Sequence, residues 1–260
     1  MKAAWTTLAT LALAALVTTA QAGRPCEQRQ PEAGNVLRAM ELAARTQARL
    51  VESGATVVVL ARAGQDLGAY GLNWSHLGYA YREGDGRWRV VHKLNQCGSA
   101  TAAVYRQGLG EFFLDDLFDY RAGIAVPSAD VQAHLLPLLR DNRSLAQLNQ
   151  PAYSMLAYPW AQRYQQSNQW AIETLALAQE PGATSRERAQ AWLQFKGYVP
   201  TTLHIGALTR LGARLSAANI AFDDHPDAQR FSGRIETVTV DSVFDWLGRS
   251  GMAGPVQVVR

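Results

Sequence analysis

The sequence contains no run of Lys or Arg. Its 25 basic residues are scattered and mostly Arg, and the net charge is only +3. The electrostatic footprint of a nucleic-acid-binding protein is therefore missing. Cysteine is scarce: Cys26 and Cys97 are the two present, and they do not form a Cys-x-x-Cys pair. That spacing weighs against a dithiol redox protein. Beyond the first 17 residues no apolar stretch approaches the roughly 20 residues that cross a bilayer, so no stable membrane insertion is expected. Internal repeats, low-complexity tracts and linkers are also absent. What remains is a chain of 260 residues, 48% hydrophobic and 18% charged. That composition belongs to a globular protein with ample core.

The N-terminus carries the clearest address. Met1-Lys2 is a short positive end, residues 3–17 are apolar, and Thr18-Thr19-Ala20-Gln21-Ala22 ends in small residues. This is the pattern of a secretory signal peptide cut after Ala22. The apolar run of about 15 residues is too short for an anchor. A periplasmic or secreted location follows. In such a compartment Cys26 and Cys97 most simply form one disulfide. Closing a loop of about 70 residues would stabilise the fold by roughly 4 kcal/mol in the chain-entropy model. The alternative is a reactive thiol at Cys97.

Periodicity predicts a helix over residues 31–53, with Val36, Leu37, Met40, Leu42, Ala43, Ala44 and Leu50 as its apolar face and Gly54 as its stop. A buried strand follows at 55–62. Two aromatic-rich runs, 74–81 and 87–92, joined by Arg82-Glu83-Gly84-Asp85-Gly86, read as a β-hairpin. Residues 100–109 read as helix or loop, and 122–126 as a strand ending at Pro127. A helix capped by Ser128 runs to Leu139, with His134 on its surface. Residues 141–150 form a polar connector, and 153–160 read as extended. Helices follow from Ser167 or Asn168, over 185–195 and over 208–219. Residues 234–240 read as a half-buried strand and 244–247 as a short helix.

Three stretches could carry chemistry. His76 and His92 fall on the two strands of the hairpin. As cross-strand neighbours on one face, one imidazole can act as general base while the other orients it. They can equally be ordinary strand residues packed among Trp74, Tyr79, Tyr81 and Trp88. Ser167 precedes a helix, where free N–H groups and the helix dipole stabilise a developing anion. The same place suits an N-cap serine. The acids among Phe112, Phe113 and Phe118 read as an amphipathic turn with its carboxylates in water. A metal site is less favoured there, because no His or Cys lies at ligand spacing. No metal and no cofactor is expected.

Four pieces between Arg62 and Glu173 resemble a family of secreted bacterial proteins, the domain of unknown function 2145. They are Ser75-His76-Leu77-Gly78, Trp88 with Val91-His92-Lys93-Leu94-Asn95-Gln96-Cys97-Gly98, Phe112-Phe113-Leu114-Asp115-Asp116, and Tyr164-Gln165-Gln166-Ser167-Asn168-Gln169-Trp170-Ala171-Ile172-Glu173. The order of elements is similar to circularly permuted papain-like proteins of the NlpC/P60 group. The resemblance implies His76 as base, His92 as orienting residue and Ser167 in the nucleophile's place. Here Ser167 stands where that group has Cys, and Gln166 where it has Asn.

The expected architecture is α+β, an antiparallel β-sheet with packed helices in a permuted papain-like order. Residues 1–22 form the signal peptide and 23–260 a single domain. The expected function is a cell-envelope hydrolase-like protein acting on an amide or ester bond, in peptidoglycan or a lipid-linked molecule. The rival is a non-catalytic periplasmic binding or assembly protein on the same scaffold. In that case Trp74, Tyr79, Trp88, Asn168 and Trp170 contact an envelope small molecule, glycan or peptide.

Overall fold

The computed structural model describes residues 32–260. The stretch expected to be a signal peptide and Cys26 fall outside the described residues. Strand β1 (Val57–Ala63) is the centre of the molecule and is buried along its whole length. Its sequence, Val-Val-Val-Leu-Ala-Arg-Ala, has the near-continuous apolar character of a strand covered on both faces. β2 (His76–Arg82), β3 (Trp88–Asn95) and β4 (Ala102–Gly108) extend the sheet on one side. β5 (Asp119–Ala125) and β8 (Gln257–Val259) extend it on the other, giving the order β4-β3-β2-β1-β5-β8. Every neighbouring pair is antiparallel. The expected hairpin is β2–β3, and the α+β class is the observed one.

Helices cover both faces. On one side α1 (Ala33–Glu52) and α2 (Leu109–Phe113) pack Leu42, Leu50, Phe112 and Phe113 against Val58, Leu60, Ala80 and Val90. On the other, α3 (Ala129–Arg140) and α5 (Ser167–Gln179) pack against Val57, Val59, Leu77, Tyr79 and Val91, while α4 (Asn142–Gln147) packs on α3, α6 (Arg186–Phe195) packs on α5, and α9 (Val240–Arg249) joins the same apolar cluster. Alternation along each strand decides which side chain meets which layer. An excursion from the second layer holds β6 (Thr201–His204), α7 (Ala207–Ser216), α8 (Asp227–Ser232) and β7 (Arg234–Thr237), with β6 and β7 paired as a ribbon. Asp224 and His225 pin it. His225 lies 3.0 Å from the Asp224 carboxylate and 2.9 Å from the Glu236 carbonyl, and Asp224 accepts the Tyr158 amide at 2.8 Å.

Several expectations need correcting. Residues 102–108 form edge strand β4, not helix or loop. Their helix-compatible composition is overridden by pairing with β3 from Arg89 to Asn95. Residues 153–160 are turns, not a strand. In α1 the inward face is Ala39, Leu42, Ala43, Thr46 and Leu50, while Leu37 and Met40 are exposed. Phe118 is exposed, and Leu117 takes the buried place. Residues 234–240 divide: the strand ends at Thr237, and Thr239 caps α9. The cap of α5 is Gln166, with Ser167 already in the first turn.

Candidate functional site

β2 begins with His76, and its ladder with β3 starts at Tyr79–Val91. Continuing that register puts Gly78 across from His92, so His76 and His92 are diagonal neighbours on one face. Gly78 allows this approach. A Cβ there would stand 2.9 Å from the His92 Cβ and 2.9 Å from the Val91 carbonyl oxygen. With no side chain in the way, His76 Nε2 lies 2.8 Å from His92 Nδ1. The other nitrogen of His92, Nε2, lies 2.6 Å from Gln107 Oε1 on β4. Gln107 in turn donates through Nε2 to the Glu111 carboxylate at 3.1 Å.

The surroundings hold both imidazoles neutral. Burial pushes the His76 pKa well below its ordinary value, with the Arg62 guanidinium and His92 adding to the effect. Burial and Arg62 push His92 down to about 3, against the opposing bond to Gln107. Arg62 itself is buried on β1, paired across the sheet with His76. It donates to the Phe112 carbonyl and to Asp115, and Phe112 packs its ring against both imidazoles. His92 is sealed, whereas His76 is half-buried and forms the open end of the chain. Among the described residues no group of three or more His, Cys, Asp or Glu side chains is arranged to hold a metal ion.

Ser167 does not meet the histidines. His76 and His92 face the α1–α2 layer and touch Phe112, whereas α5 packs on the opposite face with Leu77, Tyr79 and Val91. Ser167 is instead buried beside Tyr153. Strand alternation is the reason: Leu77 and Tyr79 turn toward α5, so His76 and Gly78 turn away. No hydrogen bond links His76 to a Ser, Thr or Cys side chain among the described residues.

The motif from Tyr164 to Glu173 does structural work. Gln165 donates to the Leu148 carbonyl at 2.9 Å and to Glu173 at 2.5 Å, and accepts from Lys93 at 2.6 Å. Lys93 Nζ also donates to Asn149 at 3.1 Å and to the Gln150 carbonyl at 2.6 Å. Burial, then Arg186, push its pKa down to about 7 while Glu173 opposes them. Asn168 accepts the Leu77 amide at 3.1 Å and donates to the Val238 carbonyl at 3.3 Å, tying α5 to the strand that carries His76. Gln169 Nε2 donates to the Pro159 carbonyl at 3.0 Å.

The residues expected to line a groove are core residues. Trp74 packs edge-on against Phe244, Tyr79 donates to the Ala171 carbonyl at 2.6 Å, and Trp170 donates to the Leu145 carbonyl at 3.4 Å. Trp74, Tyr79, Trp88, Asn168 and Trp170 are all buried. β2 and β3 are covered on both faces, so their aromatics fill layers, not a surface. Gln107, Glu111 and Arg62 were not singled out by sequence reasoning. No local pattern pointed to Gln107 and Glu111, because one lies at the end of a strand and the other in the next helix.

A family model described as an uncharacterized protein conserved in bacteria, DUF2145, matches residues 49–247. The chain belongs to this family. The match spans β1 through most of α9, and so takes in both histidines, Gln107 and the Tyr164–Glu173 motif. No curated protein and no solved structure matches the chain. The papain-like relation therefore rests on the order of elements alone, and the opposed faces of His76 and Ser167 do not reproduce that group's catalytic pairing.

Proposed function

We propose that this DUF2145 protein is a cell-envelope hydrolase-like protein in which His76 is the general base and His92 holds it in place. The His76–His92 contact of 2.8 Å carries the reading. A neutral imidazole, oriented by a second one and open at its far edge, can take a proton from water as the water oxygen attacks an amide or ester carbonyl. The resulting imidazolium, short-lived because burial and Arg62 disfavour its charge, then returns that proton to the leaving amine or alkoxide. The attacking group is water because no side-chain hydroxyl or thiol among the described residues is bonded to His76, and Ser167 lies on the helix that packs on the other face of the sheet. Envelope location follows from the signal peptide pattern in residues 1–22, and peptidoglycan peptides or lipid-linked esters are the substrate class. The order of elements, strand histidine early and α5 late, supports a permuted papain-like scaffold for residues 23–260.

The test is a screen of the mature protein against nitrophenyl esters, aminoacyl nitroanilides and purified peptidoglycan. His76→Ala should lower turnover by at least about 100-fold, the range of a lost general base, without loss of cooperative unfolding. Equal turnover in His76→Ala would overturn the assignment. A non-catalytic binding protein is the second reading, favoured because no side-chain nucleophile is bonded to His76 among the described residues. It expects no turnover by the wild type in any assay.

The same compartment supports a Cys26–Cys97 disulfide. No cysteine among the described residues is free. Alkylation of the denatured, unreduced mature protein should add no label, with an intact mass two units below the reduced form; two labelled thiols would sink the pairing.

A further inference from the structure

We infer that Glu111 and Gln107 are positioning residues that set which ring nitrogen of each histidine carries the proton, leaving Nδ1 of His76 as the site's open base. The inference rests on the proposed role of His76, but its logic is that of the hydrogen-bond chain. An ionised carboxylate only accepts. The group of Gln107 that faces Glu111 is therefore its NH2, at 3.1 Å, and this turns the amide oxygen toward His92. A carbonyl oxygen also only accepts, so His92 Nε2, 2.6 Å away, must carry a proton and donate it. His92 is held neutral by burial and Arg62, which leaves its Nδ1 with a lone pair. His76 Nε2, 2.8 Å from that lone pair, must then be the donor. A neutral His76 that donates from Nε2 has its lone pair on Nδ1, and that atom has no hydrogen-bond partner among the described residues.

Each link fixes the next, so the protonation pattern of a half-buried imidazole is set by an exposed carboxylate on α2, three hydrogen bonds away. The i, i+4 step from the end of β4 into α2 holds Glu111 beside Gln107. Without Glu111 the Gln107 amide can rotate by half a turn and present NH2 to His92, which would invert both tautomers. Oriented second-layer partners act on metal-bound and catalytic imidazoles in the same way.

Long-range proton–nitrogen NMR of the mature full chain, labelled with 15N in its histidine rings, reads the tautomers directly. His76 and His92 are assigned by comparison with His76→Gln and His92→Gln. At neutral pH the wild type should show protonated Nε2 and unprotonated Nδ1 on both rings. Gln107→Glu, which keeps an acceptor toward His92, should preserve that pattern. Gln107→Lys places a donor there and should move the proton to Nδ1 on both rings, with kcat falling about 100-fold and KM little changed. A wild type with the proton on His76 Nδ1, or an unchanged pattern in a folded Gln107→Lys, would overturn the inference. The wild-type spectrum is decisive even if the variants fail to fold. Correct tautomers in a protein that turns over nothing would instead refute the hydrolase reading and leave this one standing.

Discussion

Arg186→Met is expected to destabilise the protein by about 3–5 kcal/mol, the cost of leaving a buried charge without its partner. Glu173 lies in the middle of α5 with no exposed surface, and the Arg186 side chain is almost as deeply buried. Arg186 Nε donates to Glu173 at 2.8 Å, and Nη2 donates at 3.2 Å. The remaining acceptor capacity of that carboxylate is taken by Gln190 at 2.7 Å and Gln165 at 2.5 Å. Arg186 further donates to the carbonyls of Gln162, Ala161 and Tyr164, holding the loop that precedes α5. Its removal strands the Glu173 charge and several carbonyls at once. The double variant Glu173→Met, Arg186→Met should recover part of the loss, because an apolar pair avoids the desolvation penalty. Urea midpoints measure both. A single-variant cost below about 1 kcal/mol would mean that the pair is solvated as a surface pair is.

Gly78→Ala should cost about 1–3 kcal/mol by overpacking and reduce turnover as far as His76→Ala does. The added Cβ meets the Val91 carbonyl and the His92 Cβ, both at 2.9 Å. Neither is the free end of a flexible side chain, so relief requires β2 to move away from β3. That movement lengthens the His76–His92 contact. Denaturant unfolding reads the first effect and the ester and amide screen the second. A variant with wild-type turnover would show that His76 works without His92 beside it.

The hairpin was readable in the sequence because β-branched and aromatic runs flank a Gly/Asp turn; its register comes from the structure. The helix capped by Ser128 was equally plain, since a short hydroxyl ahead of an apolar period has one common use. The failures share a cause. Residues 102–108 form a strand only because β3 offers an edge, which no local pattern announces. The side of the sheet that His76 faces depends on one-residue parity, and resemblance to a papain-like order suggested the wrong side. Trp74, Trp88 and Trp170 looked like a binding surface because aromatic content does not say whether a layer covers it. Gln107 and Glu111 were invisible because their meaning depends on what lies beyond them, two buried imidazoles contributed by other strands.

On the proposed reading the chemistry lies at His76, on the α2 side of the sheet, and not at the start of α5. The most direct measurement is kcat/KM for His76→Ala and Ser167→Ala, side by side on the best substrate from the screen. His76→Ala should lose at least about 100-fold, and Ser167→Ala, a buried residue on the helix behind the sheet, should change within about threefold. Loss of turnover in Ser167→Ala, with His76→Ala still active, would contradict it.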